Sequence, residues 1–588
     1  MLKLIFKNFD KKNVITFIVI IMLVVLQVWL ELKMPDYMSE ITKLVETEGS
    51  QMSEILKNGG YMILCALGSL ASAVLTGYFV ALLSATITKK IRKSLFTKVE
   101  DLATSEIKKF STSSLLTRTT NDISQIQMTL AMGTQLIIRA PLTAIWAVFK
   151  ISNKSWQWSA LTGTEVIILL FAIGILMAIV SPRFKIVQKL TDKLNTVSRE
   201  NLTGIRVVRA FNAEGYQENK FNKVNSNLTS QQMFNQKAFA TLEPLIYLIM
   251  DFLPLGIYVI GAHLIGDADI ASKIGLFGDM IVFSSYAMQI IISILMLAMI
   301  FMMVPRAQVS ADRINEVLDT PITIKEKNTK SPKTNVKGKV EFKNVTFQYP
   351  DADKPLLKNI SFVANQGETV AFIGSTGCGK SSLVNLIPRL YDATEGEVLV
   401  DDIDVKDYTQ AELHNKLGFV PQKAVIFSDT VKNNITFGDN GKGEISDQKV
   451  KEAIKVAQAE EFVSKMEKGT DTMMARGGTN VSGGQKQRLS IARAIARNPE
   501  IYIFDDTFSA LDYKTDSILR KELKKYTKDA TTLIVAQRIG TVMNADKIVV
   551  LEDGNIVGIG KHKELLKNCD VYKQIALSQL SKEELENG

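Results

Sequence analysis

Six apolar stretches, each long enough to cross a lipid bilayer, fill most of the first half of this 588-residue chain. They lie near 14–34, 59–84, 130–150, 159–180, 243–265 and 276–304, and one helical crossing takes roughly 20 residues. The third is the least regular, because Arg139 and Pro141 interrupt it. The first is not a cleavable signal peptide. Its apolar core is long, and Trp29, Glu31 and Lys33 follow it in place of a small-residue cleavage site. The composition agrees: 46% of the chain is hydrophobic and 22% charged, greasier than a soluble two-domain enzyme and far from a disordered chain. The length argues for more than one domain.

The net charge of +9 admits either a nucleic-acid binder or a membrane protein with basic cytoplasmic loops. Residues 1–320 hold 31 Lys and Arg against 24 Asp and Glu, and the remainder holds 39 against 37. The surplus therefore belongs to the apolar half, where positive charge sets membrane orientation. No clustered basic face is left to suggest nucleic acid. Lys3, Lys7, Lys11 and Lys12 precede the first stretch, and the connections 85–125 and 181–240 are basic. The connection near 35–55 is acidic, with Asp36, Glu40, Glu46, Glu48 and Glu54. Both termini are therefore expected in the cytoplasm. The two long basic connections read as helical, so the membrane helices should extend well below the bilayer. Cys65, Cys378 and Cys569 form neither a disulfide framework nor a zinc site, which fits a reducing compartment. Three histidines are too few for His-rich metal chemistry.

Residues 321–338 read as a linker rich in Lys, Thr, Pro and Asn, including Lys330, Ser331, Pro332 and Lys333. From Lys339 onward, short β-branched runs alternate with helical patterns. Strands are expected at 339–349, 369–373, 397–400, 417–420, 500–505, 531–535 and 547–552, with a hairpin turn at Glu552–Asn555. Such alternation predicts an α/β domain with a largely parallel core sheet.

The run Gly374, Ser375, Thr376, Gly377, Cys378, Gly379, Lys380, Ser381, Ser382 follows the strand 369–373 and opens a helix. This is the spacing of a phosphate-binding loop. Its glycines let backbone N–H groups curl around phosphate, and the helix N-terminus near Lys380 faces the same charge. Lys380 would reach the outer phosphates of ATP, and Ser381 would ligate Mg²⁺. The strand Ile501–Phe504 then delivers Asp505 and Asp506. An acid after an apolar strand is common by itself. Beside a phosphate loop, Asp505 is expected to hold Mg²⁺ through water. Ser482, Gly483, Gly484 and Gln485 precede a helical run to Arg497, with Ser482 suited to cap it. This reads as a second anion-facing helix N-terminus or as an ordinary capped helix.

In these motifs the C-terminal half resembles an ABC ATPase, and the whole chain resembles one half of an ABC exporter. That resemblance implies a fold of six long transmembrane helices joined to a cytoplasmic α/β P-loop ATPase domain. The boundaries would be 1–320 for the membrane domain with its coupling helices, 321–338 for the linker and 339–588 for the nucleotide-binding domain. Tyr349, 25 residues before Gly374, stands where the family stacks an aromatic on adenine, or is a core tyrosine at a strand end. Gln422 fits the loop that links Mg²⁺ to the membrane domain. Ser509 to Asp512 fits the loop that crosses to the opposite subunit. Asn201 to Asn212 fits a coupling helix.

Two positions depart from the family. The acid after the magnesium aspartate is normally glutamate, which polarises the attacking water; here it is Asp506, one methylene and roughly 1 Å shorter. The family's histidine is replaced by Gln537, which donates a hydrogen bond but cannot become a cation. His562 looks like the solvated start of a helix and a poor substitute. Arg476 stands where the family often has glutamate, without an assigned role. General-base catalysis is worth ~10²–10⁴ in rate, so a slow site is expected. ABC sites are composite, so this chain's intact Ser482–Gln485 would complete a fast site on a partner half carrying the usual Glu and His. The expected assembly is a heterodimer in the cytoplasmic membrane that uses ATP and Mg²⁺ to export small molecules. A lipid or peptide exporter half, or a nucleotide-gated or regulatory subunit that does not pump, are the alternatives. For cargo, Asp251 in the fifth stretch and Asp279, Ser284, Ser285, Tyr286 and Gln289 in the sixth read in two ways. They form a cavity wall suited to cationic amphipathic compounds or a gate on the outer side, or they make helix–helix hydrogen bonds or lie near the interface.

Overall fold

The computed structural model describes residues 1–47, 49–152, 154–326 and 334–580. Glu48 and residues 327–333, which include Lys330–Lys333 of the expected linker, lie outside the described residues. The chain divides into two compact units, 1–98 with 112–319 and 99–111 with 320–588.

In the first unit all six apolar stretches are helical. The helices run Lys11–Glu46, Met52–Asp101, Thr112–Ser152, Trp156–Thr203, Glu214–Gly266 and Ile270–Leu318. The longest has 53 residues, about 80 Å at helical rise, far more than the ~30 Å of a bilayer's hydrocarbon. Only 17–28% of each apolar window is buried within the unit, so most of that surface is left for lipid or a second chain to cover. The third helix packs along the sixth, the fourth along the fifth, and the first against the third and sixth.

The third helix has the lowest mean hydropathy, 1.3 against 1.9–2.6 for the others, because Arg139 lies in it. The helix nevertheless runs unbroken through Arg139 and Pro141. Arg139 donates to both carboxylate oxygens of Glu31 on the first helix, at 3.0 and 2.9 Å. Gln27 and Ser69 donate to the same carboxylate at 3.0 and 3.1 Å. A charge in an apolar stretch persists when it is paired and its lone pairs are satisfied, and here three helices supply the partners.

In the second unit ten strands follow one another: β1 (Val340–Phe347), β2 (Leu357–Ala364), β3 (Thr369–Gly374), β4 (Glu395–Val400), β5 (Ile403–Asp404), β6 (Leu417–Val420), β7 (Ile501–Asp505), β8 (Thr531–Val535), β9 (Lys547–Glu552) and β10 (Asn555–Gly560). The order β10-β9-β3-β8-β7-β6 forms the larger sheet. It is parallel from β9 to β6, with the β9–β10 hairpin antiparallel at one edge. Every position of β7 and β8 is buried, as expected of parallel strands covered on both faces. Strand alternation then divides the core. Ala371, Ile373, Tyr502, Phe504 and Ile534 pack on one face, and Val370, Phe372, Ile501, Ile503, Leu533 and Val535 on the other.

A second sheet, β2-β1-β4-β5, is wholly antiparallel. It packs Phe342 on Phe362 and Phe362 on Phe372 of β3. β2 was absent from the expected strands. Its pairing with β1 shifts register, and Asn359 adopts a left-handed φ of 48°. A bulge of this kind breaks the two-residue alternation by which a strand is read from sequence.

Candidate nucleotide site

Four parallel strands, β3, β8, β7 and β6, release their C-terminal ends on one edge of the larger sheet. That edge is where ligands of open α/β sheets sit. β3 runs into Gly374–Ser382, β7 ends at Asp505 with Asp506 next, β8 leads to Gln537, and β6 leads to Gln422.

The loop after β3 needs its glycines. A Cβ on Gly374 would lie 2.1 Å from the Leu551 carbonyl oxygen, and Gly379 holds a φ of +99°. Lys380 is buried, and its ammonium donates to the carbonyls of Gly374 and Ser375 at 2.9 and 2.7 Å. The expected helix begins at Lys380 but ends at Val384. So short a helix adds little dipole, which leaves the loop's N–H groups and Lys380 as the candidate anion donors.

Ser381 Oγ donates to Asp505 Oδ1 at 2.7 Å. Burial pushes the Asp505 carboxyl above its ordinary value. The Ser381 hydrogen bond works against that shift, and the neighbouring Asp506 charge adds to it. A buried carboxylate beside a hydroxyl is an oxygen donor set for a hard cation. Among the described residues no cluster of three or more His, Cys, Asp or Glu could hold a metal alone. Ser381 Oγ and Asp505 Oδ1 are the kind of one or two protein oxygens Mg²⁺ would take, the rest of its shell coming from phosphate and water.

Asp506 is buried in a left-handed conformation, φ 45°. Its Oδ2 accepts two amide hydrogen bonds, from Gln537 Nε2 at 2.8 Å and Gln422 Nε2 at 3.2 Å. Both departures from the expected pattern are thus in direct contact. On the same unit, Ser482 caps the helix Gly483–Ala496. Its Oγ accepts from Gln485 N–H, and Gln485 Oε1 accepts from Ser482 N–H at 2.9 Å. Gly483 and Gly484 form the bare first turn. Asp512 caps the helix Tyr513–Tyr526 and accepts from Thr515 N–H at 2.9 Å, a bond that holds its carboxyl below the ordinary value.

Comparison with known proteins fits this geometry. Residues 357–509 match the ABC transporter family, and residues 17–295 match the ABC transporter transmembrane region. A protein of Mycobacterium tuberculosis described as an uncharacterized ABC transporter ATP-binding protein is 38% identical over 521 residues, covering 88% of this chain and 87% of that protein. The chain belongs to the ABC transporters. A Bacillus subtilis protein of the same description is 36% identical over 529 residues, covering 89% and 90% of the two chains. An ATP-dependent lipid A-core flippase of Hahella chejuensis is 32% identical over 528 residues, covering 89% and 87%. The structure of a bacterial Atm1-family ABC exporter with ATP bound superposes with a TM-score of 0.80. It covers 96% of this chain and 98% of that one, at 24% identity, and so speaks to the fold alone. This ABC transporter is a half-transporter, one membrane domain fused to one ATPase domain, and it binds ATP through the latter.

Tyr349 of the transporter lies at the end of β1. Its hydroxyl is 2.7 Å from Ser382 Oγ, and its ring meets Phe347 and Tyr391 edge to face. Of the cargo candidates, Asp251 lies on the fifth helix and the others on the sixth, where Ser285 and Gln289 are one turn apart. Asp251 is exposed on the fifth helix without a hydrogen bond or ion pair among the described residues. Asp279 is paired with Lys154, Ser285 donates to the Ile281 carbonyl of its own helix, and Gln289 is half-buried. Tyr286, on the same stretch, is a core residue and makes the helix–helix hydrogen bonds of the second reading. It donates to the Leu32 carbonyl at 2.8 Å and to Asp36 at 2.6 Å.

His562 also differs from expectation. It does begin a helix, His562–Asn568, but it is only 5% exposed and its Nδ1 is 2.7 Å from the Tyr572 hydroxyl. Burial lowers its affinity for a proton. It is a packed side chain and does not stand in for the histidine missing at 537. Arg476 is exposed and has no ion pair among the described residues. Lys108, one of the charges of the basic connection 85–125, sits at the aromatic pair Tyr349 and Tyr391. No local pattern marks it.

Proposed function

We propose that this chain is the slow-site half of a heterodimeric ABC exporter that moves amphipathic small molecules out across the cytoplasmic membrane. The observation that carries the reading is the contact set around Asp506. A water-polarising glutamate and a histidine are replaced by a shorter carboxylate whose Oδ2 is engaged by Gln537 and Gln422. In this reading Gly374–Ser382 and Lys380 hold the phosphates, and Ser381, Asp505 and Gln422 hold Mg²⁺. The cation would offset phosphate charge when bound. Tyr349 takes the adenine, and Asp512 lies on the loop that reaches the partner. Ser482–Gln485 completes the partner's site. ATP at this chain's site then acts chiefly to hold the two ATPase domains together, while hydrolysis at the partner's site resets the cycle.

Domain limits of 1–320, 321–338 and 339–588 accompany the proposal, with both termini and the ATPase domain in the cytoplasm. The basic connections 85–125 and 181–240 support that orientation. Asp251, exposed in its helix, is the cargo candidate with an unengaged carboxylate, whereas Asp279 is neutralised by Lys154. A lipid cargo is the second reading, supported by the 32% identity to a lipid A-core flippase.

The test is transport in sealed vesicles holding this chain and its partner half. Accumulation of a cationic amphipathic dye against its gradient, dependent on ATP, is the expected result. Equilibration without accumulation would mean a nucleotide-gated pore. Movement of labelled lipid alone would favour the lipid cargo.

A further inference from the structure

The segment Val99–Ser111, which joins the second long helix to the third, groups with the ATPase unit. Within it the short helix Thr104–Lys108 is pinned by Glu106, which is 2% exposed. Glu106 accepts from the Ala103 N–H at 2.6 Å and from the Ser105 hydroxyl at 3.1 Å, and Thr323 donates to it as well. Two residues on, the Lys108 ammonium lies over the ring of Tyr349, 5.2 Å from its centroid, and over that of Tyr391, 5.4 Å away. The two rings stand edge to face at 89°. The Tyr391 hydroxyl is buried, and among the described residues Lys108 is the polar group that faces it. Tyr391 chiefly strengthens the hold of Lys108 on its proton; burial opposes this, and Tyr349 and Asp351 add to it.

A cation within about 6 Å of an aromatic centroid is attracted to its face. A second aromatic system stacked on that ring brings its own centroid to about 4.5–7 Å. The ammonium and a stacked base therefore claim the same space over Tyr349. We propose that Lys108 is a purine sensor: it occupies the base position over Tyr349, and the adenine of an incoming nucleotide must displace it. The displaced charge sits on the connection between two membrane helices, so arrival of the base is felt outside the phosphate loop. Triphosphate without a base would not move it. This inference rests on the reading of Tyr349 as the adenine platform.

The experiment titrates ATP and inorganic tripolyphosphate into the full-length chain in nanodiscs at fixed ionic strength. It compares the unaltered chain with Lys108→Met, Tyr349→Ala and the double variant. Loss of the competing cation is expected to tighten ATP binding about two- to fivefold. Tripolyphosphate affinity should stay unchanged, and the gain should vanish in the Tyr349→Ala background. If Tyr349→Ala leaves the ratio of ATP to tripolyphosphate affinity unaltered, the platform reading fails and the inference falls with it. If Tyr349→Ala weakens ATP selectively while Lys108→Met leaves ATP binding unchanged or weaker, the platform stands and displacement by the base is overturned. Equal changes for ATP and tripolyphosphate in Lys108→Met would reduce Lys108 to a general phosphate attraction and overturn it too.

Discussion

Replacing Asp506 by glutamate and Gln537 by histidine together is expected to raise ATP turnover at this chain's own site by about 10²-fold or more. The added methylene carries the carboxylate roughly 1 Å further from the backbone. The histidine removes one of the two amides now bonded to Asp506 Oδ2, the one at 2.8 Å. It also supplies a group that can carry positive charge as the phosphate leaves. A hundredfold gain corresponds to about 2.7 kcal/mol of barrier, a modest share for a positioned general base. Either change alone should give less, because residues acting as a unit are not additive. Single-turnover hydrolysis of radiolabelled ATP measures it. No gain from the double variant would mean that the limit on this site lies elsewhere.

The second large effect concerns the helix Gly483–Ala496. Gly484→Asp puts a carboxylate in the first turn of that helix, beside the Ser482 cap. Inside the chain an acid in a first turn is mildly stabilising, and a Cβ there would lie 3.3 Å from the Ala510 carbonyl oxygen, a contact that a shift of a few tenths of an ångström relieves. Facing a partner's triphosphate, the same acid repels charge where backbone N–H groups should meet it. In the complex of this chain with its partner half, steady-state hydrolysis should fall by about 10²-fold or more. Asp506→Asn in the same complex should change turnover by less than about twofold, because little of the flux passes through this site. The contrast between the two variants separates the asymmetric scheme from a symmetric one, in which both would be severe.

How far the sequence reveals this arrangement depends on the range of the interactions. The six membrane helices are legible because each is a local run of apolar residues. Arg139 weakens that pattern, and only the fold shows Glu31 waiting on another helix. The nucleotide loop is legible because its glycines and Lys380 are contiguous. The meeting of Gln422, Asp506 and Gln537 on one carboxylate oxygen comes from three different strand ends. It follows from the strand order β3-β8-β7-β6, which no local pattern encodes. His562 misleads because the lysines flanking it suggest solvent, whereas Tyr572, ten residues later, folds back over it. Tyr286 leaves two readings open in sequence, a cavity wall or a helix–helix hydrogen bond, and only the fold shows Asp36 and Leu32 drawing it into the core. The strand β2 is hidden by its bulge, and Lys108 by the fact that its two aromatic partners lie more than 200 residues away.

The central claim is that this chain holds ATP but turns it over slowly without a partner. The most direct measurement is ATP binding, steady-state turnover and oligomeric mass of the chain purified alone in lipid nanodiscs. Saturable ATP binding is expected, with turnover about 10²-fold or more below that of the Asp506→Glu, Gln537→His variant, and no stable, active homodimer. Brisk hydrolysis by a stable homodimer would contradict it, because Asp506 and Gln537 would then be a competent pair as they stand.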